Sequence, residues 1–235
     1  MNRAALFDVD GTLADTNHLH VTCWWEALRQ GGHDVAMHDI HRAIGLPGED
    51  LLAHLLGEDR DTDQDDTLTS AHDTLYGTYF DRLPPLDAAS DLLRELDRRG
   101  WRVVLVTSAQ QAELDALRRA VDADDAITAT ASADDVEEGK PAPDPVHHAL
   151  VLADAPARGS VLADAPARGS VFVGDTVWDM RAGSRAGVAC VGLLCGGIPR
   201  GDLEEAGARA VYRHPADLLA HLGDSPFADT AGLGR

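Results

Sequence analysis

Two aspartates, Asp8 and Asp10, close a short apolar run and are followed at once by Gly11 and Thr12. An apolar run stopped by a glycine turn reads as a buried strand over 4–9. Both acids therefore fall at the carboxyl end of a strand, where open parallel sheets place their ligands. Residues i and i+2 of a regular strand share a face, and Gly11 lets the chain curl so that both carboxylates surround one small site. Two such groups can divide labour, one attacking phosphorus and the other protonating a leaving oxygen. A calcium loop also begins D-x-D-G, but it needs Gly at its sixth position and Glu at its twelfth, where this chain has Leu13 and Leu19.

Three further places have the same form, an apolar segment ending in chemistry. Val103–Val106 leads into Thr107 and Ser108, whose hydroxyl and free N–H groups at a helix start suit an anionic oxygen and equally suit a plain N-cap. Lys140 sits in a proline-rich loop, GKPAPDP, that opens a helix. It is the only lysine beside 19 arginines. A surface lysine is ordinarily uninformative, but a lone one in an arginine-using chain marks a position where a compact ammonium is needed. Val171–Val173 leads to Asp175, with Asp179 one helical turn later on the same side. These two acids fit either a helix cap or oxygen ligands for magnesium, which accepts few protein groups and fills the rest with water and substrate phosphate.

The elements that must carry these residues alternate. Strands are expected at 4–9, 102–106, 126–130, 171–173, 188–193 and 210–212, with helices at 88–99 and 110–121, after Pro145, and at 177–186 and 216–222. That order predicts an α/β fold, a three-layer Rossmann-like parallel sheet core covered on both faces. Residues 16–83 break the pattern. Trp24, Trp25, Leu28, Leu51, Leu52, Leu55, Leu56, Leu75 and Tyr79 recur at helical spacing until Pro84-Pro85 stops them, so an inserted all-helical cap is expected there. The core is then 1–15 plus 84–223, and 224–235 is expected to be a flexible tail.

Composition sets the outer bounds. Forty Asp plus Glu against twenty Lys plus Arg give a net charge of -20, and no basic patch relieves it. Such a chain repels phosphate backbones at long range, which argues against nucleic acid as a partner. No apolar run nears the roughly 20 residues needed to span a bilayer, and three cysteines without CxxC spacing fit a reducing compartment. A cytoplasmic protein without a membrane partner is expected.

Taken together and in order, FDVDGT, VTSA, GKPAPDP and VGDTVWD resemble the four-motif signature of the haloacid dehalogenase-like hydrolase superfamily, over roughly residues 5–222. The resemblance is to its phosphatase and β-phosphoglucomutase-like branch, which carries a helical cap after the first motif; phosphoglycolate phosphatase-like proteins belong there too. It implies that Asp8 is the nucleophile that becomes phosphorylated and that Asp10 is general acid and then base. It also implies that Thr107, Ser108 and Lys140 bind phosphate, and that Asp8, Asp10 (through its carbonyl), Asp175 and Asp179 surround Mg2+. The implied activity is hydrolysis of a small phosphorylated metabolite. The alternatives are a phosphosugar mutase of the β-phosphoglucomutase kind and a non-catalytic phospho-ligand sensor. An acid at position 10 speaks against the dehalogenase branch, and Gly174-Asp175 replaces the Glu-Asp pair of the mutase motif. In the cap, His20 and Arg42 are the candidates to face substrate, with His18 also near the hinge. Oligomeric state is not legible.

One feature stands outside this scheme: VLADAPARGS occupies 151–160 and recurs unchanged at 161–170. Lys140 and Asp175 are 35 positions apart, and without one copy the separation is 25, close to the usual spacing of this family. The surplus is expected to form an added loop or helix extension away from the site. Val161-Leu162-Ala163 could compete with Val171-Phe172-Val173 for the strand position, but Gly174-Asp175 should select the later one.

Overall fold

The computed structural model describes residues 3–153 and 169–228. Six short apolar segments form one parallel sheet: β1 (Arg3–Phe7), β2 (Trp101–Val106), β3 (Ile127–Ala131), β4 (Val171–Gly174), β5 (Ala189–Leu193) and β6 (Ala208–Tyr212), in the order β3-β2-β1-β4-β5-β6. All five pairings are parallel. Strands buried on both faces need apolar residues at every position, which is why they read as continuous runs and not as alternations. Along β1 the residues divide between two cores. Ala5 and Phe7 join Leu92, Leu96, Leu117 and Leu218, while Ala4 and Leu6 join Val146, Leu150, Met180 and Leu203.

The helices follow from that division. Helices α5 (Ala89–Arg98), α6 (Gln111–Val121) and α10 (Pro215–Ala220) supply the first core, and α7 (Asp144–Leu152), α8 (Val177–Arg185) and α9 (Arg200–Ala206) supply the second. Three layers result, and the strand order reverses beside β1, between β2 on one flank and β4 on the other. Open sheets of this kind leave a crevice at such a reversal, outside the carboxyl ends of the strands.

Between β1 and α5 the chain makes four helices, α1 (Asn17–Gln30), α2 (Met37–Ala43), α3 (Gly48–Leu56) and α4 (Asp65–Gly77). They enclose an apolar cluster of their own that includes Trp24, Leu28, Ile40, Leu51, Leu52 and Leu68. The outgoing and returning segments run side by side, with Asp15 N donating to Pro84 O at 2.9 Å and Leu86 N to Leu13 O at 2.9 Å.

One expectation needs correction, and one element was not expected. The tail does not begin at 224: Ser225 and Phe227 are buried, and the Phe227 ring stacks on Phe7 and meets Trp101 edge-on. One aromatic side chain covering an otherwise open part of the sheet is enough to fix this stretch. Helix α9 was not anticipated, because Leu203 is its only buried residue and so short a helix shows no periodicity. Strand β4 forms at the later of the two competing segments, as Gly174-Asp175 required. The rest of the duplication, from 154 to 168, lies outside the described residues.

Candidate active site

The ends of β1, β2 and β4 meet above the reversal. Past β1 the backbone curls: Asp8 N still donates to Val173 O, and the N–H groups of Thr12, Leu13 and Ala14 all turn back to Val9 O. Gly11 permits the curl with φ +75°, and a side chain there would stand 2.4 Å from both Asn17 Nδ2 and Asp175 Oδ2. The position therefore requires glycine on two counts.

Asp8, Lys140, Asp175 and Asp179 are brought together and are buried. Lys140 Nζ lies 2.5 Å from Asp8 Oδ1 and 2.8 Å from Asp179 Oδ1. Asp175 receives Thr12 Oγ1 and Asn17 Nδ2, both at 2.8 Å, and a side chain in place of Gly196 would collide with its carboxylate. Asp179 caps a helix and faces the cluster at the same time. Its Oδ2 closes a capping box with Thr176 at the start of α8, while its Oδ1 faces Lys140.

Oxygens of Asp8, Asp175 and Asp179 lie within 4.8 Å of one another. Three buried carboxylates against one ammonium leave excess negative charge, and the ionisation behaviour reflects it. Burial lifts Asp8 well above the usual carboxylate range, opposed by Lys140 and reinforced by Asp179 and Asp175. Burial and then Asp179 push Asp175 up to about 7 against the hydrogen bonds from Asn17 and Thr12. Burial would discharge Lys140, but Asp179 and Asp8 outweigh it and hold the ammonium charged. An all-oxygen, electron-rich set of this kind fits a hard divalent cation.

Asp10 belongs to a second cluster. Its Oδ1 receives Thr16 Oγ1 at 2.6 Å, and His20 Nε2 stands 3.2 Å away, with Glu113 Oε1 3.5 Å from the same nitrogen. His20 Nδ1 pairs with His72 Nε2 at 3.1 Å, and His72 Nδ1 with Asp73 Oδ1 at 2.9 Å. One assignment of protons satisfies all these contacts with Asp10 and Asp73 ionised. His20 is an imidazolium donating to Asp10 and to His72, and His72 is neutral, donating to Asp73. The electrostatics agree. Burial alone would neutralise His20, but Asp10 and Glu113 raise it, whereas burial dominates at His72 and lowers it. Burial would likewise raise Asp10, yet the His20 and Thr16 hydrogen bonds bring it below its ordinary value. Glu113, partly buried and next to Asp10, is pushed up to about 7.

Both clusters open into one cavity, lined also by Thr107, Ser108, Trp24 and the Ile44–Gly48 loop. Thr107 is not the cap of α6, a position that Gln110 occupies; its hydroxyl accepts from Ala109 N at 3.0 Å. Asp8, Asp10, His20, Thr107, Ser108 and Lys140 thus line one cavity. Arg42 does not. Its guanidinium pairs with Asp202 at 2.5 Å on the outer face, more than half exposed, and its carbonyl accepts from Trp178 Nε1. His18 is also exposed, stacked on His41. His72, Asp73 and Glu113 were not anticipated: they lie 52 or more positions from His20, on α4 and α6, and no local spacing announces them.

Comparison with known proteins agrees with this geometry. The description haloacid dehalogenase-like hydrolase matches residues 2–187. A hydrolase from Pseudomonas syringae is 34% identical with a TM-score of 0.86, covering 95% of this chain and 99% of its own. CbbY from Rhodobacter sphaeroides, solved with phosphate, is 24% identical with a TM-score of 0.73, covering 93% and 96%. β-Phosphoglucomutase from Clostridium difficile is 15% identical with a TM-score of 0.79, covering 98% and 99%, and at that identity shares the fold alone. No curated protein matches the chain.

Proposed function

Since the chain belongs to the haloacid dehalogenase-like hydrolase family, whose members generally use a divalent metal, we propose that it is a Mg2+-dependent phosphatase. Its substrate is a small phosphomonoester, and Asp8 is the nucleophile. The observation that carries this reading is the Asp8 carboxylate, held by Lys140 in a cavity that Asp10 also lines.

Asp8, Asp175 and Asp179 would hold the metal, with Asp10 contributing its backbone carbonyl. Bound there, it would offset the repulsion between a carboxylate and a phosphate dianion. The chain's own groups do the rest. Lys140 cancels charge on the nucleophile and the incoming phosphate, and Thr107 and Ser108 donate to phosphate oxygens. The proton for the leaving alkoxide starts on His20 Nε2 and passes through Asp10 Oδ1, so that its delivery leaves His20 neutral and Asp10 a carboxylate. Once the alcohol has left, Asp10 is a carboxylate and draws a proton from the water that attacks the phospho-aspartate.

Helices α1–α4 serve as the cap. They place His20, Trp24 and the Ile44–Gly48 loop over the nucleophile, which excludes bulk water from the reacting centre. Asp8→Asn tests the reading with a panel of phosphorylated metabolites and Mg2+. The wild type should release phosphate and the variant should not, with melting retained. Isomer formation without release would instead indicate a mutase. No described helix is long and apolar enough to cross a membrane, and three free cysteines support a reducing, cytoplasmic setting.

A further inference from the structure

The cavity is uneven in charge, and the unevenness bears on the alcohol that the phosphate leaves. At the floor, carboxylates, Lys140 and a divalent cation would together balance around the phosphate. On the leaving-group side stand Asp10, Asp73 and Glu113 with a single imidazolium, His20, among them. No arginine lines the cavity among the described residues, and its one lysine is committed to Asp8 and Asp179. The arginine that the sequence pointed toward substrate is held outside by Asp202. The cavity, about 130 Å³, opens past Pro47, Gly48 and Thr69 onto a groove of about 1030 Å³. The groove carries Glu49, Asp50, Asp66, Glu137 and Glu138, and its one arginine, Arg185, donates to Pro141 O.

We propose that the enzyme selects phosphomonoesters whose leaving alcohol bears a cationic amino group, received by Asp73 and Glu113. The proposal rests on the phosphatase reading and narrows it. A carboxylate or second phosphate on the leaving group would enter a region of like charge whose one cation, His20, is already shared by Asp10 and Glu113. An ammonium meets the opposite situation. Among the described residues Glu113 has one charged partner, His20 Nε2 at 3.5 Å, and shares it with Asp10. Asp73, half exposed at the cavity wall, uses Oδ1 for His72 and lies where cavity and groove join. The two carboxylates are carried by α4, in the helical insert, and α6, beside the sheet. An amino group between them would bridge the helical insert to the core at the moment the site is filled.

A matched set of esters tests this at pH 8: 2-aminoethyl, 2-hydroxyethyl and carboxymethyl phosphate, which differ in charge at similar size, with p-nitrophenyl phosphate as an activated reference. The expected order of kcat/KM is cationic, neutral, anionic, with the extremes about 100-fold apart at low salt and converging as salt rises. Asp73→Asn, which keeps an acceptor for His72, should reduce that ratio about tenfold, mainly through KM of the cationic ester; Glu113→Gln should act in the same direction. Turnover of the neutral ester and of p-nitrophenyl phosphate with no charge preference would overturn the proposal and leave the phosphatase reading standing. So would a preference that neither variant changes. Release from none of the four would overturn the phosphatase reading, and this proposal with it.

Discussion

The ammonium of Lys140 sits 2.5 Å from the Asp8 carboxylate, and its side chain is 2% exposed. A lysine that deep is tolerated because Asp8 and Asp179 both face it, and the dependence is mutual: without the ammonium, two buried carboxylates face one another. Removing one partner of a buried pair costs about 3–5 kcal/mol. Lys140→Met should therefore lower the melting temperature by several degrees and abolish turnover. Mg2+ should recover part of the melting temperature, because a divalent cation restores charge that the lysine supplied. An unchanged melting temperature would contradict the assignment of Lys140 to the cluster.

His20 acts through Asp10, so its loss should matter most where the leaving group needs a proton. For alkyl phosphates, His20→Gln is expected to lower kcat about 10²–10⁴-fold, the range of general acid catalysis. For p-nitrophenyl phosphate, whose phenolate leaves unprotonated, the fall should be much smaller. Equal losses on both substrates would show that His20 only supports the structure.

Much of this site was legible because its chemistry falls where apolar runs stop. Asp8, Thr107 and Asp175 each follow a strand buried on both faces, and such strands announce themselves as unbroken Val, Leu, Ile and Phe. Lys140 was legible for a different reason, as the single lysine of an arginine-using chain. What the sequence could not show was tertiary. His72 and Glu113 reach His20 only because α1 packs on α4 and because the insert folds back over α6. Arg42 looked like a substrate residue since its stretch leads into the loop that covers the site, but a helical residue points where its own turn directs it, and α2 turns Arg42 toward α9. Phe227 lay in a Gly- and Asp-containing terminus, where one buried ring outweighs the composition around it.

Arg42 can be tested directly. Its pair with Asp202 is solvent-exposed, and such pairs contribute about 0–1 kcal/mol. Arg42→Ala is expected to change kcat/KM by less than about tenfold, and a far larger loss of activity would return Arg42 to the substrate.

Metal binding should be linked to pH through Asp175. Its folded-state carboxyl is raised to about 7 from an ordinary value of 3.8, so between those values the folded chain holds a proton that the unfolded chain has released. Stability in EDTA should accordingly fall as pH rises from about 4 to 7, with Glu113, also near 7, adding to the trend. A cation must displace the Asp175 proton below pH 7 and need not above it. The apparent Mg2+ affinity, followed by calorimetry, should rise with pH and level off past about 7. Affinity independent of pH between 5 and 8 would contradict a raised Asp175.

Covalent trapping shows whether the phosphoryl group passes through Asp8. Enzyme quenched during turnover and reduced with borohydride converts an aspartyl phosphate to homoserine, which peptide mass spectrometry locates. Homoserine is expected at position 8, dependent on both substrate and Mg2+ and lost in Asp8→Asn. Phosphate release during the same reaction with Asp8 unmodified, or with the label on another aspartate, would contradict it.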